Sequence, residues 1–524
     1  MSTTAARPIP VLVCGAGPTG LTVALLLAQQ GVECRIIDRR TSRSGLSRAT
    51  GVNARALELL DQLGVAEDLL ERGFPLTQNS YLRGRELLGT DDIAPVDSDM
   101  PALLSVSEAE VERGLEARLA SCGVHVERGT AALTTAPDGG GPVTLTSPDG
   151  GAETVEARWV VDAEGAHSAL RAALGISLVG PDAPGLWAAV DVKLDSWPFD
   201  AGDTPNWLDA QAFWAQPLPG GNIRVFFGQD STAISAADVQ RELDRRFPEP
   251  AEVLSLEEAQ PFALGHRVAS TFRRGHVFLA GDAAHQCSPI GGRGMNLGIQ
   301  DAFNLGWKLA AAADDERFAG LLDSYDPERR PVVTDAVRTV EARFATLTTG
   351  GGTGGGTAAE GAAAGLAAGG SDPRTANNRS RDVATVYRDS PIIDYRDPRI
   401  EPGVVPGARV PEMRLDASAA GASLRRRMGG GGRGPQHLVV RVGEPSRDVG
   451  TMGGVAGPIE RSAHVDALPL VDWLDVYQPS AQLLAALGPG LFAIRPDGVL
   501  GFAGQRGEDA RLAEYLRRLG FAVG

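Results

Sequence analysis

Lysine is almost missing from this chain: Lys193 and Lys308 are the only two, and nearly every other basic residue is arginine, a bias we read as the mark of a GC-rich genome rather than of function. Cysteine is nearly as scarce. Cys14, Cys34, Cys122 and Cys287 contain no CxxC pair and no metal-like spacing, so neither a disulfide framework nor a zinc site is expected. No apolar run approaches the roughly 18 residues of a membrane span. The first ten residues lack a charged-then-apolar secretory pattern, and the expected location is the cytoplasm. Positive charge is also short: 50 Lys and Arg against 66 Asp and Glu leave a net −16. That excludes nucleic acid or an anionic membrane as partners held by bulk electrostatics. What remains is an ordinary globular composition, 43% hydrophobic and 22% charged, in a chain long enough for about three domains.

One stretch carries more pattern than any other, Val277 to Leu309, reading VFLAGDAAHQCSPIGGRGMNLGIQDAFNLGWKL. It predicts a short strand, Val277 to Ala280, ending in Gly281-Asp282. A glycine-rich turn follows Pro289, then a long helix from about Met295 with Leu297, Asp301, Leu305 and Leu309 on one side. Glycines at a helix start admit a ligand close to the backbone N–H groups, and the helix end favours negative charge by about 0.3–1 kcal/mol. An electron-rich group is expected against Pro289–Met295.

Near the N-terminus a second pattern meets the same requirement. Val11 to Cys14 is a short apolar strand, followed by Gly15-Ala-Gly-Pro-Thr-Gly20 and a Leu- and Ala-rich helix ending at Gly31. A further strand, Cys34 to Ile37, ends in Asp38. This is GxGxxG in its required setting, after a strand, opening a helix, with an acid about 20 residues on. Gly15 suits the tight turn, Gly17 the approach of a pyrophosphate, Gly20 the packing of helix on strand, and Asp38 a ribose. The spacing alone does not separate FAD from NAD. GxGxxG spacing recurs only in the low-complexity run and in the tract Gly429–Gly434, neither in the strand–helix context.

Between these patterns, a helix is expected from Asn53 to Gly64. Arg48 and Arg55 stand near its start, where the dipole does not favour a cation; they suit arginines aimed at a phosphate or ring carbonyl, or else an exposed surface. Phe74 to Pro101 reads as an excursion of short strands. Ser107 to Ser121 is helical, Val124 to Glu127 strand-like, and Val143–Thr146 with Glu153–Val161 a hairpin around Pro148-Asp-Gly-Gly151. Trp159 to Arg171 is a strand, a Gly165 turn and a helix start. Leu186 to Gly228 turns to longer strands and holds Trp187, Trp197, Trp207 and Trp214. Each of these suits core packing better than an aromatic-binding surface. Tyr325 to Pro331 punctuates two helices, Thr348–Gly370 reads as a Gly/Ala/Thr linker or surface loop, and a small α/β unit begins near Asp394. Its strands are His437–Val442, Leu491–Ile494 and Val499–Phe502, and Leu512, Leu516 and Leu519 share one face of its last helix.

Taken together, GAGPTG at 15–20, Asp162-Ala-Glu-Gly-Ala-His-Ser168, and Gly281-Asp282 with Pro289-Ile-Gly-Gly-Arg-Gly-Met-Asn296 resemble the flavoprotein aromatic hydroxylases, the p-hydroxybenzoate and phenol hydroxylase family. The nearest branch is the one that tailors aromatic polyketides. The resemblance is strong over residues 8–345. It implies an α/β fold with a Rossmann-type FAD-binding domain (1–73, 102–180 and 265–393) interleaved with a β-sheet substrate domain (74–101 and 181–264). The tail, 394–524, resembles the thioredoxin-like appendage of the phenol hydroxylase branch through Pro406-Gly-Ala-Arg-Val-Pro411 and the Arg495-Pro-Asp-Gly498 turn. With every cysteine before residue 300, that tail is expected to pack or assemble rather than run dithiol chemistry.

The resemblance further implies that Gly15, Gly17, Pro18 and Gly20 cradle the FAD pyrophosphate and that Asp38, with Arg39 beside it, holds the adenosine ribose. Arg48 and Arg113 would lie along the FAD, and Asp282 on its ribityl chain. Pro289, Gly292, Gly294, Met295 and Asn296 would face the N1/C2 edge of the isoalloxazine. Two positions depart from the family: Glu164-Gly165 stands where Asp-Gly is usual, and Glu108 where Gln is usual. The implied reaction is monooxygenation of an aromatic ring through a C4a-hydroperoxyflavin, with NAD(P)H bound only transiently. A Baeyer–Villiger oxidation and a non-turnover flavin-binding partner are the alternatives. No side chain is assigned as catalytic, since His167 and His285 suit fixing local backbone better. The expected partners are a small aromatic or polyketide substrate and O2, with a homodimer as the assembly considered.

Overall fold

The computed structural model describes residues 8–348 apart from 44–48, 94, 148, 210–211, 230–232, 258–260 and 290–291; beyond them it describes 382–395, 404–413, 424, 428, 436–442, 471–476, 481–487, 489–505 and 508–521. The expected segment 348–370 therefore falls, apart from its first residue, outside the described residues.

Apolar β-branched runs flanked by glycine favour buried parallel strands, and four of them build the central sheet. Its order is Arg273–Arg274, Val277–Leu279, Ala157–Asp162, Ile9–Cys14, Cys34–Asp38 and Glu127–Arg128, with every pair parallel except the first. Cys14, Asp38, Asp162 and Leu279 thus end at one edge, the side on which ligands bind such sheets. Helix Pro18–Gln29 packs against helix Gly294–Asp314, and small residues set the distance: a Cβ on Gly298 would lie 2.3 Å from the Thr19 hydroxyl and one on Gly306 2.7 Å from Leu26 Cδ1.

A second sheet has eight strands. Asp182–Leu194, Asn222–Gln229, Phe213–Pro217 and Asp203–Trp207 form its middle, and Gln78–Arg83 with Glu86–Asp92 complete one edge. The excursion after Phe74 thereby joins strands more than 100 residues later, through the parallel pairing Asp203↔Gln78 to Trp207↔Leu82. Trp207, Phe213 and Phe227 pack into one cluster on this sheet, with Trp207 stacked on Phe247 at 5.6 Å between ring centroids. The small sheet Gly51–Asn53, Leu103–Ser105, Phe74–Pro75 stands where the chain crosses between the two large ones.

Three local expectations are corrected by tertiary pairing. Glu153–Val161 is not one hairpin arm. Ala152–Val155 pairs antiparallel with Val143–Thr146, after which the chain changes sheet and Ala157–Asp162 runs parallel to Ile9–Cys14. Pro331 does not separate two helices; it lies inside the helix Tyr325–Thr348. That helix is held at its first turn, where the Tyr325 hydroxyl donates to the Leu279 carbonyl at 2.8 Å and Glu328 enters a buried ion cluster. Val124 to Glu127 is strand only at Glu127–Arg128.

The tail has a four-stranded sheet ordered Val471–Val476, His437–Val442, Gly490–Ile494, Leu500–Gly504. The first pair is parallel and the others antiparallel, with helix Asp509–Arg518 following. Val471–Val476 was not anticipated. Leu512, Leu516 and Leu519 pack with Phe502, Trp307 and Phe318, so the tail shares a core with the helix that starts at Gly294. The contact is pinned by Glu328, fully buried, which accepts from Lys308 at 2.8 Å and from Arg495 at 2.7 and 2.9 Å. Burial raises the Glu328 pKa, but Arg495 and Lys308 outweigh it and hold the carboxyl below its ordinary range. Burial pulls the Lys308 amine down to about 8 against the opposing charge of Glu328.

Candidate functional site

The sheet edge opens into a cavity of about 450 Å³. At one end is the turn after the first strand. Gly15 has φ +106°, and a Cβ there would sit 2.1 Å from the Ala163 carbonyl oxygen, so only glycine fits. Gly17 is the N-cap of helix Pro18–Gln29 and no side chain caps that helix, which leaves its first N–H groups open toward the cavity. A Cβ on Gly20 would meet the Gly15 carbonyl oxygen at 1.9 Å, so the helix start packs directly on the turn. Asp38 is 5% exposed and accepts from the backbone N–H groups of Ala16 and Arg40, both at 2.8 Å. Burial raises its pKa, yet the Arg40 side chain and these N–H groups hold it below the usual carboxylate range. Gly15, Gly17, Pro18, Asp38 and Arg39 all line the cavity.

Arg48 lies outside the described residues. Arg113 is not among the lining residues: its guanidinium pairs with Asp68 at 2.6 Å and Glu110 at 2.9 Å. One helical position is a rotation of about 100°, and it is the preceding residue, Glu112, that faces the cavity. Arg55 reaches neither phosphate nor solvent. At 7% exposure it donates to Glu58 at 3.0 Å and to the Asp497 carbonyl of the tail.

The other end is built by the Val277–Leu309 stretch. Gly281 has φ +61°, and a Cβ there would lie 2.5 Å from the Thr19 hydroxyl. Its N–H donates to Asp301 at 3.1 Å, and Asp301 also takes His285 at 2.6 Å and Arg329 at 2.7 Å, all fully buried. Burial raises the Asp301 pKa, but Arg329 and His285 together leave the carboxyl lowered. The triad holds the turn that presents Asp282 to the cavity, and His285 thereby fixes backbone. Pro289, Gly292, Arg293, Gly294 and Met295 line the wall beyond it, at the start of a second helix with no side-chain cap. Asn296 does not reach the cavity. It is fully buried, accepts from Asn53 N–H at 2.9 Å and donates to the carbonyls of Gly51 and Gly292, tying the loop to its neighbour.

Of the two departures from the family pattern, Glu164 has a local account. Its carboxylate accepts from the N–H groups of Ala169 and Leu170 at 3.0 and 3.1 Å and shares the Ser168 hydroxyl with Asp162. It caps a helix start while lining the cavity. Burial first, then the Glu164 charge, pushes the Asp162 carboxyl up to about 7; burial likewise raises Glu164. Glu108 also lines the cavity, in the first turn of its helix, and accepts from the Ala49 N–H at 3.2 Å.

The second sheet supplies the remaining wall: Asn79, Thr204, Trp214, Gln216 and Phe262–Gly265, with Leu103 and Arg343. Gln216 is held by donating to the Thr50 carbonyl at 2.7 Å. Of the four tryptophans, Trp214 lines the cavity, while Trp187 stacks on Phe226 and Trp207 lies in the core. Two further residues carry the site without having been anticipated. Asp382 accepts from Asn53, Gln300 and Arg293, clamping the loop beside Gly292. Glu112 stands buried at the Gly17 end of the cavity; its signal was a carboxylate on the apolar stripe of Val111, Leu115 and Leu119. Among the described residues no His, Cys, Asp or Glu cluster suits a metal ion, and no helix is long and apolar enough to cross a membrane.

A long cavity with an uncapped helix start at each end, glycine where a Cβ would fill the cradle and an acid at the first sheet edge, fits an extended dinucleotide such as FAD. Fold and site define a dinucleotide-binding α/β protein whose cavity runs on to a wall that includes Trp214 and Phe262. More particularly, residues 8–340 match the family described as an FAD binding domain, and the chain belongs to it. It is 36% identical over 349 residues to the 6-methylpretetramide 4-monooxygenase of Streptomyces rimosus, a match covering 64% of this chain and 62% of that protein. It is 35% identical over 350 residues to the pentachlorophenol 4-monooxygenase of Sphingobium chlorophenolicum, covering 63% and 64%. The match thus spans less than two thirds of both relatives' length. Among solved structures, the OxyS anhydrotetracycline hydroxylase from Streptomyces rimosus is 25% identical with a TM-score of 0.75, over 97% of this chain and 98% of that one.

Proposed function

We propose that this chain is an FAD-dependent monooxygenase that takes electrons from NAD(P)H and places one oxygen atom of O2 on an aromatic, polyketide-type substrate. The observation that carries the reading is the continuity of one cavity from the glycine turn at Gly15, past Asp282 and the helix start at Gly294, to the wall of Trp214 and Phe262. FAD, when bound, supplies the redox chemistry that activates oxygen. The chain's own residues position and shield. Uncapped N–H groups at Gly294 and Met295 favour negative charge on the ring edge they face. Asp282 accepts hydrogen bonds from the ribityl hydroxyls, Asp38 from the ribose. Trp214 and Phe262 offer ring faces to an aromatic substrate, and the second sheet closes the chamber against water. Without a second GxGxxG in a strand–helix setting, NAD(P)H visits this same cavity.

The division into an FAD-binding domain interleaved with a substrate sheet is supported by the strand pairing of 78–92 with 182–229. The tail is thioredoxin-like: its strand order, one parallel pair then two antiparallel neighbours with a closing helix, supports that assignment. Lacking cysteine, it acts by covering the helix from Gly294.

An absorbance spectrum of the purified protein, followed by NADH and NADPH oxidation with and without polyphenolic polyketides, tests the function. Bound flavin and substrate-stimulated oxidation giving a product one oxygen heavier, with its ring carbon skeleton intact, are expected. Absence of flavin reduction under every condition sinks the reading, and insertion into a carbon–carbon bond replaces hydroxylation with a Baeyer–Villiger outcome.

A further inference from the structure

Glu112 is 3% exposed, on the face of helix Glu108–Ser121 that otherwise buries Val111, Leu115 and Leu119. A carboxyl in that position needs partners, and the protein supplies few. The Arg40 guanidinium stands 3.8 Å from Oε1, beyond hydrogen-bond distance, and Oε2 is buried with no hydrogen-bond partner among the described residues. The group points at the nucleotide turn: Oε1 lies 3.9 Å from the position a Cβ would take on Gly17. Gly17 is the uncapped start of a 12-residue helix, and both residues line the cavity. The charged groups around Glu112 are Asp38 and Arg40 from the second strand and its extension, Arg128 from the edge strand, and Glu108 one turn back. Arg40 is bound to Asp38, and Arg128 to Glu116 at 3.0 Å, so neither cation is given over to Glu112. Burial first, then the Glu108 charge, pushes its carboxyl up to about 7, against Arg40 and Arg128.

An ionised Glu112 facing a pyrophosphate would repel it. A neutral one carries an O–H, and the phosphate oxygens are strong acceptors of short O–H···O⁻ bonds. We propose that Glu112 holds the dinucleotide as a neutral acid, donating its O–H to a pyrophosphate oxygen of FAD. The proposal rests on FAD occupying this cavity and adds a proton to the binding equilibrium: raising the pH ionises Glu112 and weakens FAD binding.

The test is a titration of flavin-stripped protein with FAD, followed by flavin fluorescence, from about pH 6 to about pH 9, where FAD itself keeps a constant charge. The dissociation constant is expected to rise on the order of 100-fold across that range, one proton per FAD. Glu112→Gln, whose amide donates at every pH, binds within a few-fold of wild type at pH 6 and loses the dependence. Glu164→Gln keeps it, which separates Glu112 from the Asp162–Glu164 pair, the other carboxyls with raised pKa values beside this turn. A wild-type constant that is flat in pH, or a Glu112→Gln protein that retains the slope, overturns the proposal while the FAD reading stands. Folded protein that binds no FAD at any pH overturns both.

Discussion

Substituting Gly20 by alanine asks how tightly the nucleotide turn is built. The residue is helical, so the added methyl brings no backbone strain, and the effect is steric. The new Cβ lies 1.9 Å from the Gly15 carbonyl oxygen, a backbone atom. Ordinary contact needs about 3.4 Å, so helix and turn must separate by about 1.5 Å. Gly15 cannot retreat freely, because its N–H is held by the Ile37 carbonyl at 2.8 Å and its Cα abuts the Ala163 carbonyl. Overpacking of this kind costs about 1–3 kcal/mol of stability, offset by up to about 1 kcal/mol of alanine's helix propensity. The turn's N–H groups move relative to the pyrophosphate. Losing one hydrogen bond to a charged group is worth about 1.5–3 kcal/mol, which is roughly a 10- to 100-fold weaker FAD. Flavin fluorescence titration measures this directly, with thermal unfolding recorded with and without FAD. Gly31→Ala is the control. It has φ +73° at the end of the same helix with nothing within 4 Å, so it costs about 1–2 kcal/mol of backbone strain without touching the cavity. Gly20→Ala protein that binds FAD as tightly as wild type refutes the reasoning.

Three further outcomes are expected. Asp282→Ala purifies largely without FAD, read from the flavin-to-protein absorbance ratio; full occupancy would remove Asp282 as a ligand. Arg495→Met leaves Glu328 buried with Lys308 as its one remaining cation among the described residues, beside the neutral donors Asn304 and Ser390, at a cost of about 3–5 kcal/mol, so limited proteolysis should release the tail at lower protease concentration. Acid should do the same to wild type. The Glu328 pKa is lowered in the folded state, so its contribution is complete above the ordinary glutamate range and is lost as pH falls toward the folded value. Tail protection that is unchanged down to the acid unfolding transition would refute this role for Glu328.

Much of the nucleotide site was legible because its signals are local. A tight turn, a helix start and an acid at the next strand end are all set within about 25 residues of chain, and in the fold Gly15, Gly17 and Asp38 line one cavity while Gly20 packs on Gly15. The same holds for the strand, turn and helix of Val277–Leu309. Arg113 shows where such signals stop: periodicity says which residues share a helix face, but one position decides whether a side chain meets the cavity or Asp68.

What the amino-acid order determined by itself was therefore the dinucleotide turn, the second helix start and the apolar strands between them. These depend on backbone geometry and neighbours in sequence. Tertiary structure alone decided the rest. It set Asp382 against Asn53 and Arg293, drew Arg55 to the tail, carried Pro331 into a helix, and left Oε2 of Glu112, beside Gly17, with no hydrogen-bond partner among the described residues. Those are contacts between residues up to several hundred positions apart, fixed by which faces pack together, and packing is a property of the whole fold.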